Sequence, residues 1–399
     1  MKKLLSLLMG LIISAGCVFA NDSFSFIYIN GSNNNDVKMK NWYENGVRKL
    51  HPVLRKKFLK NRAIKKYYAS LSSEKLAIKE DPVIFFWGYD SKNDLEYVKG
   101  QLELSKMVSS SGAYFVRSLI TQYMHDAIWV QKPHHMRPVL EDLNTTVKNE
   151  VSDTDNYIIL YGYSAGTFVT YEYMLNKLRY INLLKLFETL NYDKDFIEFV
   201  KANPKKDTCI SALTSHYGKL GTMSSDGHLI LNPNKEQLKA GYLQMDEMTE
   251  NACAPEGKIA GVVNFASPLP LFYSDLADSQ YEQNYYNRLM IKYILENGIF
   301  FMTVNFSEDP LGFPTSKNVT IKEIENTLDI EIVNPSGIVY DNSGVWSKRM
   351  FALAHTSYWT ARGTFSNAIV KSLVNGYKFQ YDEKYQKKIL KRNSKKSEL

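Results

Sequence analysis

Cysteine is scarce in this chain: three in 399 residues, at Cys17, Cys209 and Cys253. That excludes a small scaffold in which disulfides stand in for a core. Glycine (21) and proline (12) are too few for a collagen-like or linker-like chain. No internal repeat or low-complexity tract occurs beyond the short run Asn33-Asn34-Asn35. Past the N-terminus no apolar run reaches the ~20 residues that a membrane span needs, so the mature protein is expected to be soluble or peripheral. No nucleic-acid motif is present, and nucleic acid is not an expected partner. What the chain does have is ordinary globular stock. Apolar residues make up 44% and charged residues 23%, with 27 Tyr, 20 Phe and 5 Trp, enough for a large core and incompatible with wholesale disorder.

Lys2 and Lys3 precede an apolar stretch from Leu4 to about Ala20, which then meets polar Asn21-Asp22. This order reads as a secretory signal peptide over residues 1–20, with Val18-Phe19-Ala20 as the cleavage site. Ser14-Ala15-Gly16-Cys17 also resembles a lipobox that would lipidate Cys17, but the usual aliphatic residue is missing at Ser14. Simple cleavage and a periplasmic or secreted destination are therefore expected. In an oxidising compartment Cys209 and Cys253 would pair, closing a loop of 43 intervening residues. In the chain-entropy picture such a bridge stabilises by about 4 kcal/mol.

The net charge of +7 is unevenly spread. Residues 38–80 and the tail, residues 384–399, are strongly basic, so the remainder is net acidic. In the tail Lys387/Lys388, Lys391/Arg392 and Lys395/Lys396 recur every four residues, which makes one basic helical stripe. Such a stripe could lean on an anionic membrane surface, although a solvated helix face is the default reading.

Six short β-rich runs alternate with helical patterns. The runs are Phe26–Ile29, Val83–Trp87, Tyr157–Tyr161, Ile259–Phe265, Phe300–Phe306 and Ile338–Tyr340. Most are continuously apolar, as strands covered on both faces are. Helical stretches fall at 140–151, 166–180, 278–296 and 358–375. Strand and helix in alternation predict an α/β doubly wound, mostly parallel sheet. A single domain over 21–399 would carry helical insertions near 38–80 and 89–155 and a cap near 181–257.

One pattern carries chemistry. Gly162-Tyr163-Ser164-Ala165-Gly166 matches G-x-S-x-G, with a β run directly before it and a helical pattern directly after it. That setting presents the serine on a strained, sharp turn, and small neighbours are needed for the chain to bend so tightly. A serine hydroxyl needs a base. His51, His125, His134 and His135 precede the turn. His216 and His228 fall in the cap, and His355 follows the last strand, just before an apolar C-terminal helix. His355 fits the chain order serine, acid, histidine. The acid is sought in Ser307-Glu308-Asp309-Pro310, where Asp309 is favoured over Glu308, with Asp275 and Asp278 in reserve. The Ala165 N–H and the Ser32 N–H, in the loop Asn30-Gly31-Ser32-Asn33, are the candidate oxyanion donors. Nothing in the sequence calls for a metal or cofactor.

Taken in order, these landmarks resemble the α/β-hydrolase family, in particular its lipase and esterase branches. The resemblance covers most of the mature chain. Two departures stand out: Asn30-Gly31 replaces the His-Gly of many members, and the family's opening β-hairpin is missing. The resemblance implies hydrolysis of a carboxylic ester, a lipid or other acyl ester, through a Ser164-His355-Asp309 triad and an acyl-enzyme. The alternative is a non-catalytic envelope protein that keeps the fold for binding.

Overall fold

The computed structural model describes residues 23–32, 37–65, 76–88, 91–106, 113–114, 121, 125–152, 156–178, 180–181, 184, 187–188, 192–204, 208–209, 220–223, 229–244, 259–272, 290–315, 318–328, 330–349 and 351–389. The expected signal peptide with Cys17, the reserve residues His216, His228, Asp275 and Asp278, and Cys253 lie outside them, as does the chain beyond residue 389. The protein divides into two compact units. The first comprises Met1–Tyr171, Glu256–Ser274 and Ile291–Leu399; the second comprises Glu172–Pro255 and Asp275–Met290.

The first unit is built on a parallel sheet. Its strands are β1 (Ser23–Ile29), β2 (Ala77–Ile78), β3 (Val83–Phe85), β4 (Tyr157–Tyr163), β5 (Ile259–Phe265), β6 (Phe300–Phe306) and β7 (Ile338–Val345). The order across the sheet is β7-β6-β5-β4-β1, and the far edge of β1 is shared by two short strands. β2 pairs with Ser23 and Phe24, and β3 pairs with Ile27 to Ile29. Every pairing is parallel. The mostly apolar sequences of β4, β5 and β6 are explained by burial on both faces. The chain leaves β1 in one direction and then builds β5, β6 and β7 in the other. The carboxyl ends of β1 and β4 therefore form the topological switch point, where a doubly wound sheet opens a crevice.

The longer helices among the described residues are α1 (Val37–Lys60), α2 (Lys92–Lys106), α3 (Pro133–Ser152), α4 (Gly166–Leu178) and α5 (Arg362–Tyr381). Residues 38–80, expected as an insertion, contain α1, whose inner face is part of the main core. Tyr43, Val47, Leu50, Leu54 and Phe58 recur at helical spacing and are buried with the sheet residues Phe26 and Tyr161. α1 lies beside α5, and Gly46 lets it approach closely, because a Cβ there would stand 2.9 Å from the Trp359 ring. His51, on the inner face of α1, is fully buried. Its Nδ1 accepts from the Tyr28 hydroxyl at 3.1 Å and its Nε2–H donates to the Lys79 carbonyl at 3.1 Å.

β7 is an edge strand, and side chains close its outer edge, Asn318 at the centre. The Asn318 Oδ1 accepts from the Asp341 N–H at 2.7 Å, and its Nδ2 donates to the Asp341 carbonyl at 2.7 Å.

The second unit, which contains the expected cap, has its own small aromatic core. Phe187, Phe196 and Tyr242 are buried and meet edge to face, with Phe187 and Phe196 5.1 Å apart. Helices Lys194–Ala202 and Lys235–Leu243 are N-capped by the side chains of Asp193 and Asn234. Cys209 ends the two-residue strand Thr208–Cys209, antiparallel to Tyr180–Ile181.

Candidate active site

β4 delivers Ser164 to the switch point. The turn that follows forces Ser164 to φ 53°, a left-handed conformation that a serine adopts only when its surroundings hold it there. Those surroundings explain the motif. A Cβ on Gly162 would fall 2.8 Å from Asn264 Oδ1, and one on Gly166 would fall 2.4 Å from the Asn30 carbonyl oxygen. The chain before and after Ser164 is thus pressed against β5 and the end of β1, and only glycine fits. Ser164 N–H donates to the Phe265 carbonyl at 3.0 Å, and its own carbonyl accepts from Thr167 N–H and Oγ1.

His355 and Asp309 arrive from distant parts of the chain. His355 Nε2 lies 3.1 Å from Ser164 Oγ, and His355 Nδ1 lies 3.0 and 3.2 Å from the two carboxylate oxygens of Asp309. With the proton on Nδ1, the ring donates to Asp309 and accepts from the serine hydroxyl. The Asp309 carboxylate is fully shielded from solvent. A buried carboxylate needs several donors. Asp309 Oδ1 accepts from Leu311 N–H at 2.9 Å, and Oδ2 accepts from the Tyr358 hydroxyl at 2.8 Å. Asp309 therefore caps its own turn and orients the histidine at once.

The alternative carboxylate, Glu308, faces elsewhere. It accepts from the Ser347 and Lys348 N–H groups, each at 3.1 Å, and pins the loop after β7. Burial pushes its carboxyl upward, but the N–H donors outweigh burial and hold it below the ordinary glutamate value.

Two tyrosines complete the arrangement, and the sequence pattern does not single out either. Tyr358 stacks on Phe306 with ring centres 4.1 Å apart and accepts from the Phe306 N–H at 2.9 Å while donating to Asp309. Tyr163, the variable residue of the motif, donates to the His355 carbonyl at 3.0 Å. Burial, reinforced by the charge on Asp309, pushes both phenols well above the ordinary tyrosine value, so both remain donors. The sequence signal for them is slight: a tyrosine three residues after His355 and another beside the serine.

Ala165 is buried directly before α4, where a helix start leaves N–H groups unclaimed by its own turns. Ser32 follows Gly31 in the loop after β1. A Cβ on Gly31 would stand 2.8 Å from Ser164 Cβ, so this loop lies against the serine. Among the described residues no group of three His, Cys, Asp or Glu could hold a metal ion, and no helix is long and apolar enough to cross a membrane. The chain matches no protein-family model, no curated protein and no solved structure, so the reading of this site rests on its own geometry.

Proposed function

We propose that the protein is a serine hydrolase that cleaves a carboxylic ester through an acyl-enzyme, as the resemblance to α/β-hydrolases implies. The observation that carries this reading is the unbroken relay from Ser164 Oγ through both ring nitrogens of His355 to the buried Asp309 carboxylate.

In the first step Ser164 Oγ attacks the ester carbonyl while His355 Nε2 takes the hydroxyl proton. Asp309 holds the tautomer and stabilises the imidazolium. The developing oxyanion is received by the Ala165 N–H, with the start of α4 adding its dipole, and by a second N–H from the Asn30–Ser32 loop. Each such donor is worth about 2.7–4 kcal/mol in the transition state. Collapse expels the alkoxide, which leaves as an alcohol with the proton from Nε2. Water then repeats the sequence on the acyl-enzyme, giving its proton to Nε2 and releasing the acid and free Ser164.

Exposed apolar residues near the carboxyl edge suit an apolar acyl group. Leu271 after β5, Trp346 after β7 and Leu353 just before His355 are all exposed on segments at the carboxyl edge. The test is a fluorophosphonate probe. It should label the purified protein at Ser164 and leave Ser164→Ala unlabelled, and p-nitrophenyl esters of increasing chain length should then be turned over. A wild-type protein that folds but takes no label and hydrolyses no ester would reject the reading.

A further inference from the structure

The helical layer on one side of the sheet carries a charge that the relay has no use for. Over residues 37–65 and 362–381, which hold α1 and α5, there are thirteen Lys and Arg and one carboxylate, Glu44. The whole chain is only +7, so everything else together is net acidic. The excess has a place. Lys56, Lys60, Arg62, Lys65, Lys371 and Lys378 are all exposed. Among the described residues none of the six enters an ion pair, whereas Glu44 and the neighbouring Glu80 are taken by Arg48 and Arg55.

The two helices run alongside one another in the same sense. Gly46 of α1 meets Trp359 just before α5, and Lys57 bonds Asn367 within it. Both end at the amino edge of the sheet. Arg55 donates to the Ile78 carbonyl in β2, beside the start of β1, and Tyr381 donates to the Gly337 carbonyl just before β7. The segment after α5 adds exposed Lys384, Lys387 and Lys388 there. Its two acids are Glu383 and Asp382, and Asp382 is occupied in capping the Lys384 and Tyr385 N–H groups. Ser164 stands at the other end of a seven-residue strand, so the basic pole is on the order of 25 Å from the site. Cations in the last turn of a helix offset its dipole, but that does not account for Lys371 in the middle of α5 or for Arg62 and Lys65 beyond the end of α1.

We propose that this basic face docks the protein on an anionic phospholipid surface, with the carboxyl edge and Ser164 directed away from it. Charge complementarity selects the partner. Apart from Val37, at the opposite end of α1, no large apolar side chain of the two helices is exposed, so contact there is electrostatic and needs no insertion. Most of the exposed cations occupy the last turns of two helices lying side by side and the segments that follow them, a face two helices wide. A lipid surface meets all of such a face, while a nucleic-acid duplex meets it along a line of phosphates. The inference is independent of the hydrolase reading.

Co-sedimentation with vesicles tests it. The full protein should bind phosphatidylcholine vesicles that contain phosphatidylserine, release in high salt, and ignore phosphatidylcholine alone. The triple variant Lys56→Glu, Lys60→Glu, Arg62→Glu should lose about 100-fold in partition coefficient, since each basic side chain near an anionic surface is worth about a factor of five. The pair Lys371→Glu, Lys378→Glu on the other helix should lose about 25-fold and serves if the triple variant does not fold. Equal binding to neutral vesicles, undiminished binding by both variants, or tighter binding to a DNA duplex than to the anionic vesicles at the same salt would overturn the proposal.

Discussion

Replacing Tyr358 by phenylalanine removes one oxygen that does two things. It takes away the donor to Asp309 Oδ2 at 2.8 Å and the acceptor for the Phe306 N–H at 2.9 Å, and leaves the ring free to keep its stack on Phe306. A hydrogen bond to a charged group is worth about 1.5–3 kcal/mol, and a buried N–H left unpaired costs about 1–3 kcal/mol. These contributions overlap, because both sit on one hydroxyl, so a net loss of about 2–4 kcal/mol in unfolding free energy is expected. Asp309 would retain Leu311 N–H and His355 as donors, so hydrolysis should fall by about tenfold, far short of the ~10⁴-fold seen when a triad acid is neutralised. Urea titration gives the first number and kcat/KM for a soluble ester gives the second. A Tyr358→Phe protein that keeps its stability within about 0.5 kcal/mol and its full rate would refute the role assigned to this hydroxyl.

Burial holds His51 neutral by pushing its pKa below the ordinary histidine value of 6.5, against the pull of the Lys79 carbonyl. The unfolded chain then binds the extra proton first. Stability should be full above about pH 6.5 and decline as pH falls toward the depressed folded value; His51→Gln should flatten that dependence in denaturant titrations at pH 7.5 and 5.5. Gly166→Ala drives a Cβ to 2.4 Å from one backbone oxygen and 2.6 Å from another. It should cost about 3 kcal/mol or more and abolish probe labelling, and a Gly166→Ala protein as stable and reactive as wild type would contradict the packing described. Mass spectrometry of unreduced protein from its native compartment should find Cys209 linked to Cys253, and both thiols free for alkylation would exclude the bridge.

Much of this arrangement is legible in the sequence because it depends on local chemistry. β4, β5 and β6 are mostly apolar runs, as a doubly covered sheet requires, and the serine turn needs glycines at fixed spacing. The chain order serine, acid, histidine points to Ser164, Asp309 and His355 while leaving other carboxylates open, and the structure brings those three together. The parts that escape a sequence reading depend on distant partners. β2 is only Ala77 and Ile78, too short for any periodicity, and exists because Ser23 and Phe24 offer an open edge. α1 reads as peripheral because its sequence is densely basic, yet its inward positions carry no charge other than what His51 could acquire, and the Lys and Arg side chains lie outside the core. Tyr358 reads as one more aromatic near a helix start. Its part is set by Phe306, 52 residues away, which fixes the ring and aims the hydroxyl at Asp309.

Parallel sheets with open edges are liable to recruit strands from other molecules, and here both margins resist it. On one side β2 and β3 present two or three residues each, too little for a stable added strand. On the other, the side chain of Asn318 occupies the Asp341 N–H and carbonyl as a neighbouring strand would. Gln380 Nε2 donates to the Val339 carbonyl and Asp341 Oδ1 accepts from the Ser343 N–H, so Asn318 is the central stopper of an eight-residue margin closed by side chains. Loss of that stopper would leave the folded unit nearly intact while opening a template for self-association, so the first symptom of an Asn318 substitution would be turbidity in concentrated solution rather than a lower melting point.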